Sequence, residues 1–287
     1  MKSINALALP SLIILSAAMS FAASPTKPVV KYFQVPGANA TKLYGVSNNN
    51  IGVGFYLDKN NVQHGYEVVN GKITTIDNPG GTTYLWGVNS SGTVVGFYID
   101  SQSNYFAFTW NNGVFTPIQP PQGSQTLAYG INDNGVVTGE YLDSNTGLDE
   151  AFTYDGSTYT TILSPVNNEP ALGFDTNVNG LTTMIYLAAD GVTQEAAIYN
   201  ASTFTTVNVP GAVVSYIHAI DAAGDVVYSW TDSAGVFHGA ARIGKTFTKF
   251  DLNGCAGTYA DGINDNHLIV GTCDLANGSS KGFYITY

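Results

Sequence analysis

Short stretches rich in Val, Ile, Phe, Tyr and Thr, broken every few residues by Gly, Asn, Asp or Pro, run from Val29 to the end of the chain. Stretches of this kind read as strands and the breaks as tight turns. The pattern also repeats. Trp86-Gly87-Val88-Asn89-Ser90-Ser91-Gly92-Thr93-Val94-Val95-Gly96-Phe97-Tyr98 has five further copies, which begin at Tyr44, Tyr129, Phe174, His218 and Asp261. A period of about 43 residues with several short strands in each period is the mark of a β-propeller.

Four strands, a to d, can be read in each copy. In the second copy strand a is Tyr84 to Val88 and strand b is Thr93 to Tyr98; strand c is Phe106 to Trp110 and strand d is Val114 to Gln119. Strands a and b are joined by Asn-x-x-Gly, as in Asn89 to Gly92, Asn132 to Gly135 and Asn177 to Gly180. Asn starts the turn by bonding its own backbone, and Gly takes the left-handed position. Asn50 and His267 replace that Gly in two copies, and both tolerate positive φ. The last copy stops at Phe283-Tyr284-Ile285-Thr286-Tyr287, a strand c, whereas Val30 to Gly37 reads as a strand d with no copy before it. Pairing the two closes the ring without an open edge. The expected fold is all-β: a six-bladed β-propeller of four-stranded antiparallel blades, closed by the N-terminal strand pairing with the last blade.

Residues 1–22 read as a signal peptide: Lys2, a mostly apolar run from Ala6 to Phe21, and Ser20-Phe21-Ala22 before the cleavage point. Residues 23–287 then form one domain, secreted or held at a bacterial periplasm or cell surface. The net charge of −11 becomes one unit more negative when Lys2 leaves. That sign argues against nucleic acid and anionic membranes as partners. Only 11% of residues are charged, well below the average of about 25%. Polarity comes from Asn, Ser, Thr, Gly and Tyr, a composition that suits sheets with many turns.

The run His64-Gly65-Tyr66, Asn70-Gly71, Ile76-Asp77-Asn78-Pro79-Gly80-Gly81 and Gly87 to Gly96 resembles the HAF-type extracellular repeat of bacterial secreted proteins. The resemblance spans the mature chain and is weaker in copies four and five. It implies export and a propeller-like array, and brings no catalytic set. The repeat's histidine matches His64 and His238, but Phe106, Glu150, Glu195 and Lys281 stand in its place elsewhere. That variety argues for a structural position.

Chemistry is expected where the repeat breaks its rule. Asp175 stands where other copies carry Gly or Ala, and His218 precedes that position in copy five. Asp221 replaces Asn or Ser, and Asp261 replaces an aromatic. With strand a innermost, these four would gather on one side of the central channel, where carboxylates and an imidazole can bind a ligand or move protons. The competing reading is drift in degenerate copies, with Asp221 capping its turn as Asn would. The aromatics Tyr44, Trp86, Tyr129 and Phe174 are expected to pack against the glycine side of the neighbouring blade. Tyr32, Tyr56, Tyr98 and Tyr141 lie nearer loops, where they can pack between blades or offer platforms for sugar rings.

Asp58, Asp100, Asp143 and Asp232 recur singly in turns and do not assemble the oxygen set calcium requires. No zinc spacing, phosphate loop or nucleophile elbow occurs, so neither metal nor cofactor is expected. Cys255 and Cys273 are the only cysteines and are expected to pair in an exported chain. The leading function is a monomeric, non-catalytic binding module for a glycan or an extracellular or envelope protein. A carbohydrate-active hydrolase or lyase with its site in blades 4–6, and a structural envelope repeat, stand as alternatives.

Overall fold

The computed structural model describes residues 28–286 apart from Asn168; the expected signal peptide, residues 1–22, lies outside the described residues. The chain folds into six four-stranded antiparallel blades arranged as a propeller. Blades 1 to 5 span residues 40–75, 82–118, 123–162, 171–206 and 214–250. Blade 6 takes three strands from residues 257–286 and its outer strand, Val29–Phe33, from the other end of the chain. Val29 pairs with Thr286 and Phe33 with Gly282, so the ring closes as the repeat boundaries require. The Cys255–Cys273 disulfide ties the loop before blade 6 to that blade's strand b.

Strand a of each blade lines the central channel. Apolar side chains fill the space between neighbouring blades: Val53 of blade 1 packs with Leu85, Val94 and Phe108 of blade 2, all 0–1% exposed. Burying a side chain of this size stabilises the fold by about 1.5–3 kcal/mol. The glycines of strand a set how closely the blades approach. A Cβ on Gly87 or Gly262 would lie 2.7 Å from the carbonyl oxygen of Tyr129 or Tyr44 on the next blade, too close for any side chain.

The turns after strand a form a second inner layer. Asn132 Oδ1 accepts the backbone N–H groups of Asn134 and Val136, both at 3.0 Å, while Gly135 takes the left-handed conformation at φ 82°. The carboxamide therefore organises its own turn, as the Asn-x-x-Gly spacing requires. At the centre of this face Asn48 Nδ2 donates to Asp133 Oδ2 at 3.1 Å and Asp265 Oδ2 at 2.7 Å. Blades 1, 3 and 6 are thus joined across the channel mouth.

Candidate functional sites in the channel and between blades 2 and 3

Every strand a carries a β-bulge at the same place. Pairing with strand b skips one residue between Leu43 and Gly45, Leu85 and Gly87, Ala128 and Gly130, Gly173 and Asp175, Ile217 and Ala219, and Ala260 and Gly262. The skipped residues are Tyr44, Trp86, Tyr129, Phe174, His218 and Asp261. A bulge releases a residue from the ladder and re-aims its side chain. These six line the channel and meet one another around it. Tyr44 stacks on Trp86 at 4.2 Å between ring centroids, and Trp86 meets Tyr129 edge-on at 4.9 Å. Tyr129 stacks on Phe174 at 5.3 Å, and Phe174 meets His218 at 5.7 Å. The sequence reading had these rings against the neighbour's glycine; the backbone carbonyl takes that place, and the rings turn into the channel.

His218 and Asp261 finish this ring, with His218 Nε2 4.0 Å from Asp261 Oδ1. Both are buried. Burial pushes Asp261 up to about 7, with Lys42 opposing, and pushes His218 down to about 4. Two of the four candidate residues are thereby brought together. The other two serve the backbone. Asp175 Oδ1 accepts from the N–H of Thr176 at 2.8 Å and Oδ2 from Ile220 of blade 5 at 3.1 Å, so it latches two blades. Burial pushes Asp175 up to about 7 against those two bonds. Asp221 caps its turn through Oδ1, which accepts from Asp225 N–H at 2.8 Å. The channel encloses a cavity of about 100 Å³. That suits a few waters and falls below the ~300 Å³ of small ligand pockets.

A larger groove, about 410 Å³, opens where blade 2 meets blade 3. Two clamps of the repeat are missing there, as they are between blades 3 and 4, where Glu150 and Leu163 hold the places of the first and Ala171 that of the second. The first clamp joins strands c and d. His64 Nδ1 lies 2.7 Å from Asp77 Oδ2 in blade 1, and His238 Nδ1 lies 2.7 Å from Asp251 Oδ1 in blade 5. In blade 4 Asn208 donates to Glu195 at 2.5 Å. Blade 2 has Phe106 and Gln119 at these places, and Gln119 Nε2 turns away to donate to Gly123 O at 2.8 Å. The repeat histidine is therefore a structural position, as the variety of its replacements indicates.

The second clamp is a hydroxyl near the start of strand a. Thr41, Ser215 and Thr258 accept the N–H of the residue six before them, Val35, Val209 and Leu252, at 2.9–3.2 Å. Thr83 accepts from Asn78 at 2.7 Å. Thr126 holds the same place in blade 3, but the residue six before it is Pro120, which has no N–H. Its Oγ1 is buried beneath the groove with no partner among the described residues. The rest of the lining includes Tyr98, Tyr105, Phe106 and Phe115. Tyr98 and Phe106 stack as a cross-strand pair at 5.1 Å. Gln125 Oε1 accepts from Tyr105 N–H at 2.9 Å, and its Nε2 donates to Asn104 Oδ1 at 3.2 Å, holding the amides at the rim. Of the four loop-side tyrosines, Tyr98 lines this groove, whereas Tyr56 stacks on His64 at 5.1 Å. Tyr141 is buried, bonding Glu150 at 3.1 Å, and Tyr32 donates to Asn253 O at 3.1 Å.

No protein-family model and no curated protein matches the sequence. Solved structures match in fold. The fucose-specific lectin from Aleuria aurantia aligns with a TM-score of 0.52 at 10% identity, over 88% of this chain and 93% of the lectin. The SapL1 lectin, solved with alpha methyl fucoside, aligns with a TM-score of 0.54 at 10% identity, over 87% and 94%. AofleA from Arthrobotrys oligospora aligns with a TM-score of 0.50 at 12% identity, over 91% and 83%. At these identities the likeness is one of architecture.

Proposed function

We propose that this chain is an exported, monomeric, non-catalytic binding module, built of HAF-type repeats, that holds a carbohydrate in the groove between blades 2 and 3. The observation that carries this reading is the groove itself, about 410 Å³, walled by Tyr98, Tyr105, Phe106 and Phe115 with the amides of Asn104, Gln119 and Gln125 beside them. Its chemistry suits a sugar. Aromatic faces pack the C–H side of a pyranose ring, and amides and a hydroxyl meet its O–H groups. The fucose lectins named above add support, since a propeller of this shape serves sugar recognition in them.

The test is a glycan array followed by calorimetry, with the double variant Phe106→His/Gln119→Asp as control. That variant installs the clamp that blades 1 and 5 already use, so it should fold normally. Wild type is expected to bind at least one glycan class, and the variant to lose about tenfold or more in affinity, or about 1.4 kcal/mol. Silence of the wild type across the array, or equal binding by the variant, would remove the proposal.

A further inference from the structure

The turns after strand a are linked from blade to blade by a belt of hydrogen bonds, and one link carries an atom that cannot serve. Asn89, Asn132, Asn177 and Asn264 each donate from Nδ2 to the backbone carbonyl at the same place on the next blade, at 2.8–3.2 Å. Asp221 holds this place in blade 5. It keeps the capping bond through Oδ1, but its second atom is an oxygen and has no hydrogen to give the next blade. Asp221 Oδ2 is buried with no hydrogen-bond partner among the described residues, on a side chain 1% exposed.

Two other departures from the repeat face this oxygen. Asp225 fills a place held by Ile51, Val136, Leu181 and Leu268 in other copies. His267 stands where Gly92, Gly135, Gly180 and Gly224 stand, with φ 55°. His267 Nε2 lies 3.0 Å from Asp225 Oδ2 and 3.6 Å from Asp221 Oδ2. The three donor atoms fall within 4.8 Å of one another. The remaining Asp225 oxygen is engaged, accepting Gly244 N–H at 2.6 Å, and Arg242 Nη2 donates to Gly224 O at 3.4 Å. His267 is 41% exposed, so the cluster opens to solvent on its side.

Two carboxylate oxygens and one imidazole nitrogen are ligands that Zn²⁺ accepts. At bond lengths of about 2.0–2.2 Å, donors around a tetrahedral ion stand about 3.3–3.5 Å apart. The observed 3.0 and 3.6 Å bracket that spacing. Ca²⁺ takes six to eight oxygens and is poorly served by three donors of which one is nitrogen. We infer that Asp221, Asp225 and His267 form a site for a divalent transition-metal ion of the Zn²⁺ type at the boundary of blades 5 and 6. The ion takes the place of the missing amide hydrogen at Asp221 and keeps its outer coordination positions open to water or to an oxygen ligand. The sequence reading expected no metal because the three ligands lie in two turns from different repeats, with no local spacing to announce them. The site is separate from the groove between blades 2 and 3 and does not depend on it.

The experiment strips the mature chain with a chelator and titrates Zn²⁺ by calorimetry and Co²⁺ by visible absorption, with melting temperature read alongside. One equivalent should bind, Co²⁺ should give ligand-field bands, and bound Zn²⁺ should raise the melting temperature. Asp221→Asn restores the residue of the other turns and His267→Asn keeps a residue that tolerates the backbone, as Asn50 does. Both should fold, and both should lose about tenfold or more in metal affinity. No saturable binding at millimolar metal would overturn the site, as would equal binding by the two variants. A metal-indifferent wild type that Asp221→Asn stabilises would also refute it, because a proton would then fill the link.

Discussion

Single residues in this propeller act through what the repeat leads the backbone to expect of them. Asp175, Asp261 and Glu140 carry carboxyl groups held largely out of water, each pushed up to about 7 by desolvation first. Between the ordinary carboxyl range near 4 and about 7, the folded chain keeps protons that the unfolded chain has lost. Their contribution to stability is therefore present at low pH and disappears as pH rises through about 7. His218, pushed down to about 4 by burial, works the other way and adds stability as pH rises from about 4 to 6.5. Three groups outweigh one, so the melting temperature should fall between pH 5 and pH 8. Asp261→Asn should reduce that fall, with a gain of a few degrees at pH 8, about what 1 kcal/mol gives in a domain of this size. Thermal denaturation at the two pH values decides it, and an unchanged slope in the variant would remove Asp261 as a cause.

At the scale of strands and turns, the hydroxyl clamp makes a paired prediction. Thr83→Val leaves the Asn78 N–H without its 2.7 Å acceptor, and should cost about 1–3 kcal/mol. Thr126→Val removes a hydroxyl that has no partner and should be neutral or stabilising. Denaturant melts of the two variants check this; equal losses would mean that Thr126 is bonded after all. The same comparison marks what the sequence made legible. The Asn-x-x-Gly turns and strand boundaries obey one backbone rule in six copies, so the blades and the closing strand could be placed from residues alone. The bulges could not, because Tyr44 or Trp86 looks like any strand residue until pairing shows it skipped. The groove was hidden for a related reason. Its walls combine Phe106 and Gln119, where blades 1 and 5 hold a His–Asp pair, with Pro120, which lacks an N–H, and such replacements show only once strands c and d are aligned in space. Asp225 escaped notice because it occupies a slot that is apolar in most copies.

The whole molecule is a ring whose stability depends on the blade that joins its two ends. The Cys255–Cys273 disulfide closes an 18-residue loop there, which in the chain-entropy account stabilises by about 3 kcal/mol. The Cys255→Ala/Cys273→Ala variant should melt several degrees lower while keeping its strand content by circular dichroism, and an unchanged melting temperature would show that the closing blade needs no staple. The ring also separates roles by location. The channel is lined by its own bulged side chains and bridged by Asn48 at the turn face, with room for little more than water, so it serves as the axle. The proposed recognition site lies away from that axle, in the groove between blades 2 and 3. The most direct measurement is amide chemical-shift mapping of the labelled chain with the glycan that binds best on the array. The account predicts shifts concentrated at residues 98–126 and quiet turns at residues 218–225 and 261–267. Shifts centred on the channel turns instead, with the groove silent, would contradict it.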